Sequence, residues 1–365
     1  MIKDLVDKLL KKETLPKDEM IELLKAKNED LDYLFKKAYE VKLKYVGNKV
    51  FFRGIIEYSN ICKKNCFYCG LRRDNKSINR YTMEDSEVIE AALFAYNNKF
   101  GSIVLQSGEN SSPEFVKKIS YLLKTIKEKT NNRLRITLSL GEQSYETYKE
   151  WFINGAHRYL LRIEVSNPIL YSKLHPKDNL HDYQVRLNSL NYLKQIGYQV
   201  GTGVMIGLPF QSFSDLVDDL FFMKDFDIDM CGMGPYIEHS QTPLYNYAYL
   251  CPPLKERFYL TLKMIAILRI MMKDINIAAT TALQTIEPDG REKAILVGAN
   301  VIMPNITPTK YRKNYLLYEN KPCIDESGEL CLNCLKTRLK LINATIGFNE
   351  WGDSKHFQKK ISNSI

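Results

Sequence analysis

Residues 59–70 read Ser59-Asn-Ile-Cys62-Lys-Lys-Asn-Cys66-Phe-Tyr-Cys69-Gly70, which places three cysteines at the spacing C-x3-C-x2-C. Thiolates are soft ligands that suit zinc and iron–sulfur clusters. A structural zinc site and a closed 4Fe–4S site each use four protein ligands. This loop offers three thiols and has no fourth Cys or His beside them. It therefore favours a 4Fe–4S cluster with one open iron over a zinc knuckle.

The composition is that of an ordinary soluble globular protein. The chain has 365 residues, of which 45% are hydrophobic and 26% charged, with a net charge of +9. The first twelve residues lack the apolar core of a signal peptide, and the most apolar helical run, 259–272, is interrupted by Lys263 and Arg269. Eight cysteines in such a chain indicate metal binding rather than disulfides. We expect a cytoplasmic protein without a nucleic-acid or membrane partner, because its basic and acidic residues are interspersed.

Short β-rich runs alternate with helix-period segments along most of the chain. The helical segments include 84–97, 113–128, 184–196 and 253–272. The eight predicted strands are 51–59, 102–106, 134–140, 157–164, 199–206, 229–235, 275–281 and 298–303. This alternation predicts an α/β fold, a complete (βα)8 TIM-type barrel of parallel strands.

The barrel pattern also predicts how the chain is divided. Residues 1–46 read as amphipathic N-terminal helices that pack on the barrel and close its N-terminal end. Residues 47–305 form the barrel, and residues 306–365 form a C-terminal extension that carries further cysteines.

Polar residues follow several predicted strands, at the end of a barrel where active sites lie. The cysteine loop follows the first strand, and other polar groups follow the later ones. They are Gln106 to Glu109, Ser139 and Glu142, Arg162 and Glu164, and Thr280 and Thr281. We therefore expect one barrel mouth to collect all of them.

Longer stretches carry a resemblance to a known family. They are 47–57, the cysteine loop 62–69, 159–164, 207–209, 278–282 and 298–305, together with Cys323-x7-Cys331-x2-Cys334. With these motifs the chain, from about residue 30 to 355, resembles the HydE family of FeFe-hydrogenase maturases. That family belongs to the biotin synthase-like group of the radical S-adenosylmethionine (SAM) superfamily.

The resemblance implies that Cys62, Cys66 and Cys69 hold a 4Fe–4S cluster whose open iron binds SAM. One electron from the reduced cluster then yields methionine and a 5′-deoxyadenosyl radical. Arg186 would pair with the SAM carboxylate and Glu164 with the ribose hydroxyls. The SAM-binding residues that it implies are Tyr68, Gln106, Gly108, Glu109, Ser139, Glu164, Arg186 and Met230.

The resemblance also implies an organometallic substrate. This is an Fe(CO)2(CN)–cysteine synthon from the tyrosine-lyase maturase, and the product would pass to the scaffold GTPase HydF during assembly of the two-iron subcluster. A ferredoxin or flavodoxin would be the reductant. The cavity residues matched in this way are Thr137, Arg158, Arg162, Thr280, Thr281 and Tyr315.

Buried polar groups at strand ends have a physical reading of their own. They are costly unless they are paired, so Arg162 and the threonines are expected to hold an anionic or cyanide-bearing ligand. The alternative is a structural ion pair between Arg162 and Glu164 or Glu142.

A second group of thiols, Cys323, Cys331 and Cys334, predicts a possible second iron–sulfur site, 2Fe–2S or 4Fe–4S, in the extension. Zinc is the alternative there. We expect this site to lie far from the barrel mouth, and its removal to spare SAM cleavage and maturation. Cys231 and Cys251 are isolated, which indicates buried apolar residues rather than ligands.

Three other functions compete with this interpretation. Two are related enzymes, methylornithine synthase and a sulfur-inserting enzyme such as biotin synthase. The third is a non-enzymatic iron–sulfur electron-transfer module. Formation of 5′-deoxyadenosine from SAM by the reduced protein distinguishes an enzyme from that module.

Overall fold

Eight strand positions close into a parallel barrel. The computed structural model describes residues 2–363. Hydrogen-bonded neighbours run in the order β10-β1-β2-β3-β4-β5-β7-β9. The ring closes between β9 and β10, where Asn300 N donates to Ile277 O (2.9 Å) and Ala279 N donates to Val301 O (2.8 Å). The strands are β1 Lys49–Ser59, β2 Ser102–Ser107, β3 Arg135–Ser139, β4 Ala156–Leu160, β5 Gln199–Thr202, β6 Met205–Ile206, β7 Met230–Cys231, β8 Gly234–Pro235, β9 Asn276–Ile277, β10 Val301–Ile302 and β11 Thr345–Ile346.

Helices follow the strands and surround them, which confirms the predicted α/β barrel. The α-helices are α1 Ile2–Lys12, α2 Lys17–Leu24, α3 Asn28–Tyr45, α4 Asp85–Asn97, α5 Pro113–Lys129, α6 Tyr145–Ile153, α7 Pro168–Leu174, α8 Tyr183–Ile196, α9 Phe213–Asp225, α10 Leu254–Met271, α11 Thr281–Ile286, α12 Gly290–Val297, α13 Thr309–Arg312, α14 Gly328–Leu341 and α15 Lys355–Ser362. Asn179–His181 and Pro243–Leu250 are 3-10 helices. Within residues 2–363, no helix has both the length and the apolar character needed to cross a membrane.

Local sequence explains where several helices begin. Ser112 caps α5 by accepting a hydrogen bond from Phe115 N, with Pro113 as the first helical residue. Ser212 and Asp215 form a capping box at the start of α9. These caps fix the helix starts just after the loops at the mouth.

Two predicted strands, 199–206 and 229–235, are each interrupted at a glycine. A Cβ on Gly203 would lie 2.0 Å from Gly232 O, so the two backbones approach more closely than any side chain allows. The strands therefore divide into β5 and β6 on one side, and β7 and β8 on the other.

The C-terminal segment closes the N-terminal end of the barrel. Strand β11 pairs with the start of β1. The carbonyl of Gly352 accepts hydrogen bonds from Arg53 Nη2 (3.1 Å) and Asn276 Nδ2 (2.8 Å) inside the barrel. The N-terminal helices α2 and α3 pack on the outer helices α9, α10 and α12, and their closing of this end of the barrel stays a prediction. The division of the chain at residues 46 and 305 stays a prediction.

Candidate active site

A cavity of about 340 Å³ opens at the C-terminal ends of the strands. Its walls come from the loops that follow the barrel strands and from the segment 315–323 of the C-terminal extension. All three cysteines of the 59–70 loop line it.

The cysteine loop is held by backbone contacts on both sides. Lys63 N donates to Glu109 O (2.9 Å), and Glu109 N donates to the Cys62 sulfur (3.3 Å). The guanidinium of Arg80 donates to the carbonyls of Asn60 (2.7 Å) and Leu71 (2.9 Å). These hydrogen bonds hold the backbone of the cysteine loop in place.

Gly108 is needed for the close approach of the loop after β2. A Cβ at this position would lie 2.5 Å from Ile61 O and 2.8 Å from the Cβ of Cys62. Only glycine allows the β2 loop to lie directly on the cysteine loop.

Burial raises the pKa of all three thiols. It is the largest cause for Cys62 and Cys66, and it raises the pKa of Cys69 to about 12. The thiols of Cys69 and Cys62 add to the effect at Cys66. When a thiolate binds a metal, the metal takes the place of the thiol proton. Three such soft donors that line one cavity therefore fit a 4Fe–4S cluster in which one iron has no protein ligand.

Four charged side chains form a buried network beside the cysteine loop. Lys64 Nζ lies 3.1 Å from Glu109 Oε1 and 2.6 Å from Glu142 Oε2. Arg186 Nε lies 2.8 Å from Glu142 Oε1, and its Nη2 lies 3.4 Å from Glu109 Oε2. Burial disfavours the charge on Arg186, but Glu109 and Glu142 outweigh it and raise the pKa of Arg186 well above its usual range. Lys64 was not among the predicted site residues, although its place between Cys62 and Cys66 could have indicated it.

Arg162 and Glu164 form the ion pair that the sequence left as an alternative. Arg162 Nε lies 3.0 Å from both carboxylate oxygens of Glu164, and its Nη2 lies 2.9 Å from Oε2. Nη1 donates to Gly232 O (2.6 Å) and Nη2 to Val204 O (3.0 Å). Glu164 has a φ of +66°, an uncommon conformation for a non-glycine residue, and it is fixed there by backbone bonds to Gly203 and Met205. Both side chains line the cavity.

Other predicted residues also reach the cavity. Two of them have buried oxygens without a hydrogen-bond partner among residues 2–363: Oγ1 of Thr280 and the hydroxyl of Tyr315. Such groups are costly to bury unless a ligand or water completes them. The predicted residues found in the cavity wall, besides those described above, are Tyr68, Gln106, Ser139, Thr280, Thr281 and Tyr315.

Three predicted residues lie outside the cavity wall. Arg158 is fully buried, and its Nε donates to Thr137 Oγ1 (3.2 Å) while its Nη1 pairs with Asp353 (2.9 Å). Met230 accepts from Arg53 Nη1 (3.0 Å). These contacts belong to the N-terminal end of the barrel, because residues 137, 158 and 230 precede the strand ends that form the mouth. Met205 and Met303 line the cavity instead.

The second cysteine group lies elsewhere than expected. Cys323 and Cys331 line the same cavity, so the extension is not far from the mouth. Ligand atoms of Cys323, Glu326 and Cys331 lie within 4.8 Å of one another, whereas Cys334 is exposed and outside this group. A hydrogen bond from Cys323 lowers the pKa of Cys331 to about 7. The group can hold a metal through two thiols and one carboxylate, which is compatible with iron or zinc.

An ion pair ties the extension to the barrel. Lys321 Nζ pairs with Glu57 of β1 and donates to Tyr315 O (2.9 Å), and Asn305 Nδ2 donates to Glu57 Oε2 (3.2 Å). Glu57 and Lys321 were not among the predicted site residues, because no sequence motif joins residues that are 264 positions apart.

The two isolated cysteines behave as expected for apolar residues. Cys231 is buried in the core against the sulfur of Met223 (3.5 Å). Cys251 packs on a smaller apolar cluster beside the mouth. Neither lines the cavity.

Comparison with known proteins identifies the family. Residues 56–223 match the radical SAM superfamily. The [FeFe] hydrogenase maturase subunit HydE of Thermotoga maritima is 47% identical over 324 residues, which cover 88% of each chain. The 3-methylornithine synthase of Methanosarcina acetivorans is 28% identical over 299 residues, 81% of each chain.

A solved structure supports the fold. The structure of methylornithine synthase superposes with a TM-score of 0.79, over 94% of this chain and 98% of that one, at 24% identity. The family implies a 4Fe–4S cluster and SAM, for which the cysteine loop and its cavity are suited. The barrel, the cysteine loop and the relative at 47% identity together show that this chain is a radical SAM enzyme and belongs to the HydE family.

Proposed function

We propose that this enzyme matures FeFe-hydrogenase by acting on an Fe(CO)2(CN)–cysteine synthon during assembly of the two-iron subcluster. The observation that carries the proposal is a single cavity that joins the three cysteine thiols to buried oxygens of Thr280 and Tyr315, which have no hydrogen-bond partner among the described residues 2–363. An apolar substrate would leave these oxygens unpaired. A ligand with cyanide, carbonyl and carboxylate groups supplies acceptors for them.

The chain's own residues would bind and orient SAM. When bound, the cluster supplies the electron that cleaves SAM and so generates the 5′-deoxyadenosyl radical. Glu109 would meet the SAM ammonium and Arg186 its carboxylate, although both side chains already pair within the charged network. The SAM carboxylate would therefore share Arg186 with Glu142. Glu164 keeps lone pairs that can accept bonds from the ribose hydroxyls while it holds Arg162.

Walls from the extension would shield the reaction. Tyr315, Leu317 and Tyr318 line the cavity. The backbone bond from Gly70 N to Leu317 O (2.9 Å) joins this wall to the cysteine loop. A closed cavity keeps water and reductants from a reactive radical.

The proposal extends to location and partners. The synthon would come from the tyrosine-lyase maturase, the product would pass to the scaffold GTPase HydF, and ferredoxin or flavodoxin would supply electrons in the cytoplasm. A second iron–sulfur cluster, 2Fe–2S or 4Fe–4S, would use Cys323 and Cys331. The division into N-terminal helices, barrel and extension, and the site residues above, belong to the same proposal.

Reconstituted maturation tests this function. The purified protein is added to apo-hydrogenase with the two other maturases, and hydrogenase activity is measured. Tyr315→Phe and Thr280→Val remove one hydroxyl each with little change in volume. We expect each to lower maturation about tenfold, the cost of one lost hydrogen bond in a closed site, while SAM cleavage without synthon is kept. Wild-type protein that cleaves SAM but leaves maturation unchanged when it is added or omitted would refute the proposal.

A further inference from the structure

An exposed aromatic face lies beside the cysteine loop. It consists of side chains from α7, the loop after β6, and the 3-10 helix Pro243–Leu250. Tyr249 is 79% exposed and Ile169 is 69% exposed. The rings of Phe210 and Tyr247 are 5.1 Å apart, and Lys173 Nζ lies 5.1 Å from the centre of the Phe210 ring. The members of the aromatic face are Ile169, Phe210, Tyr245, Tyr247, Tyr249 and Leu250.

Exposed tyrosines are typical of protein interfaces. Soluble proteins rarely expose large apolar patches, and tyrosine is enriched where partners bind. The exposed Phe210 has a φ of +68°, a backbone conformation that is uncommon and unfavourable for a bulky residue.

Backbone hydrogen bonds connect the aromatic face to the cysteine loop. Phe67 lies between Cys66 and Cys69 in the sequence. Its N–H donates to Leu174 O at the end of α7 (2.9 Å), and its carbonyl accepts from Leu244 N in the 3-10 helix (3.0 Å). One residue of the cysteine loop therefore joins both elements that carry the face.

The surroundings of the aromatic face are basic. Residues 60–77 contain Lys63, Lys64, Arg72, Arg73 and Lys76 against the single acid Asp74, and residues 168–178 contain Lys173 and Lys177 against the single acid Asp178. Of these basic residues, Lys63, Arg73, Lys76, Lys173 and Lys177 are exposed. Ser77 Oγ donates to Gln241 Oε1 (3.2 Å), which brings the end of the basic loop to the start of the 3-10 helix. A partner with an acidic surface would complement this rim.

We propose that the aromatic face docks an acidic one-electron carrier protein, an inference that rests on the proposed function. The carrier would lose one electron and the cluster held by Cys62, Cys66 and Cys69 would gain it, with no proton or bond exchanged. Electron transfer weakens steeply with distance, so a docking site tied to the cluster loop shortens the path. Electron-transfer complexes are small and transient, and opposite charges speed their formation.

The test compares two ways of reducing the same anaerobic holoenzyme. 5′-Deoxyadenosine formation is measured with reduced flavodoxin below saturation and with dithionite. Tyr247→Ala, Tyr249→Ala and Lys173→Glu are compared with Tyr121→Ala, an exposed tyrosine on α5. We expect the three face variants to lower the flavodoxin-driven rate about tenfold, as for interface anchor residues, and to leave the dithionite-driven rate unchanged. Lys173→Glu should also weaken the salt dependence of that rate.

Other outcomes overturn the inference. Equal losses of the 5′-deoxyadenosine rate with both reductants would show that the aromatic face stabilises the protein rather than docks a carrier. Unchanged flavodoxin-driven rates would remove it from the electron path, and a dimer that Tyr249→Ala dissociates at unchanged rates would assign it to self-association. Wild-type protein that cleaves no SAM even with dithionite would instead contradict the proposed function.

Discussion

The guanidinium of Arg162 has protein acceptors for its hydrogen bonds on all three nitrogens. It donates to Glu164 and to the carbonyls of Gly232 and Val204. An arginine that is free to hold an anionic ligand would instead show unpaired donors. The structure therefore favours a positioning role, in which Arg162 fixes the Glu164 carboxylate at the cavity.

Arg162→Leu should lower the free energy of unfolding and the affinity for SAM together. Loss of one partner leaves the carboxylate of Glu164 without its counter-charge, and breaking a buried pair costs up to about 3–5 kcal/mol. Urea unfolding and SAM binding by calorimetry measure the two effects. The double variant Arg162→Leu/Glu164→Gln removes the uncompensated charge and should recover part of the stability. Lost maturation with unchanged stability and SAM affinity would show that Arg162 contacts the substrate.

Single residues differed in how far the sequence could place them. Spacing alone located Cys62, Cys66 and Cys69, because metal-ligating thiols in one loop need no tertiary information. Thr137 and Arg158 lie outside the cavity wall because each falls in the middle of its strand, before the strand end that forms the mouth. The sequence pattern does not fix the bounds of a strand closely enough to show this.

The segment 323–334 shows the same difficulty at the scale of an element. Its cysteine spacing suggested three equivalent ligands, but of the two cysteines on α14 Cys331 is buried and Cys334 is exposed, and Glu326 lies with Cys323 and Cys331. The carboxylate could not be identified from the sequence, since a single glutamate in a loop has no distinctive spacing.

Cys331→Ser and Cys334→Ser should therefore differ. Cys331→Ser removes a buried ligand of the group and should lower the iron bound beyond the first cluster, whereas Cys334→Ser should leave it unchanged. Iron and sulfide analysis of the reconstituted proteins measures this difference. Because Cys323 and Cys331 line the cavity, Cys331→Ser should also alter maturation, contrary to the expectation from sequence. Equal loss of iron in both variants would show that Cys334 is a ligand as well, as the sequence predicted.

Helix α15 is attached to the barrel by a cluster of charges around His356. Nδ1 of His356 lies 3.0 Å from Asp274, and Nε2 lies 2.6 Å from Asp227. Hydrogen bonds to Asp274 and Asp227 raise the pKa of His356 despite its partial burial. Lys359 and Lys360 pair with the same two carboxylates.

His356→Gln should destabilise the protein more at pH 6 than at pH 9. The pKa of His356 is higher in the folded than in the unfolded state, so its contribution is fully present below about pH 6.5 and is lost as the pH rises through the folded pKa. The pKa values of Asp227 and Asp274 are lowered, so their contributions are lost instead at acid pH. Urea unfolding of both proteins across this pH range checks the sign. A difference that grows from pH 6 to pH 9 would contradict this assignment.

For the whole molecule, the extension unites both ends of the barrel. Residues 345–354 enter the N-terminal end, where Asp353 pairs with Arg158, and residues 315–323 cover the mouth, where Lys321 pairs with Glu57. The eight-strand barrel was predictable because alternating strands and helices have few compact arrangements. The path of the extension was not predictable, because it is fixed by contacts between residues that lie 195 and 264 positions apart in the sequence.

We attribute SAM cleavage by this enzyme to the three thiols that meet at one cavity. The most direct test measures 5′-deoxyadenosine after anaerobic reconstitution with iron and sulfide, with SAM and dithionite added. We expect the wild-type protein to form 5′-deoxyadenosine and Cys66→Ala to form none, because the cluster loses a ligand; Cys251→Ala serves as the matched control with full activity. Full SAM cleavage by Cys66→Ala, or none by wild-type protein with its iron in place, would contradict the assignment of SAM cleavage to these thiols.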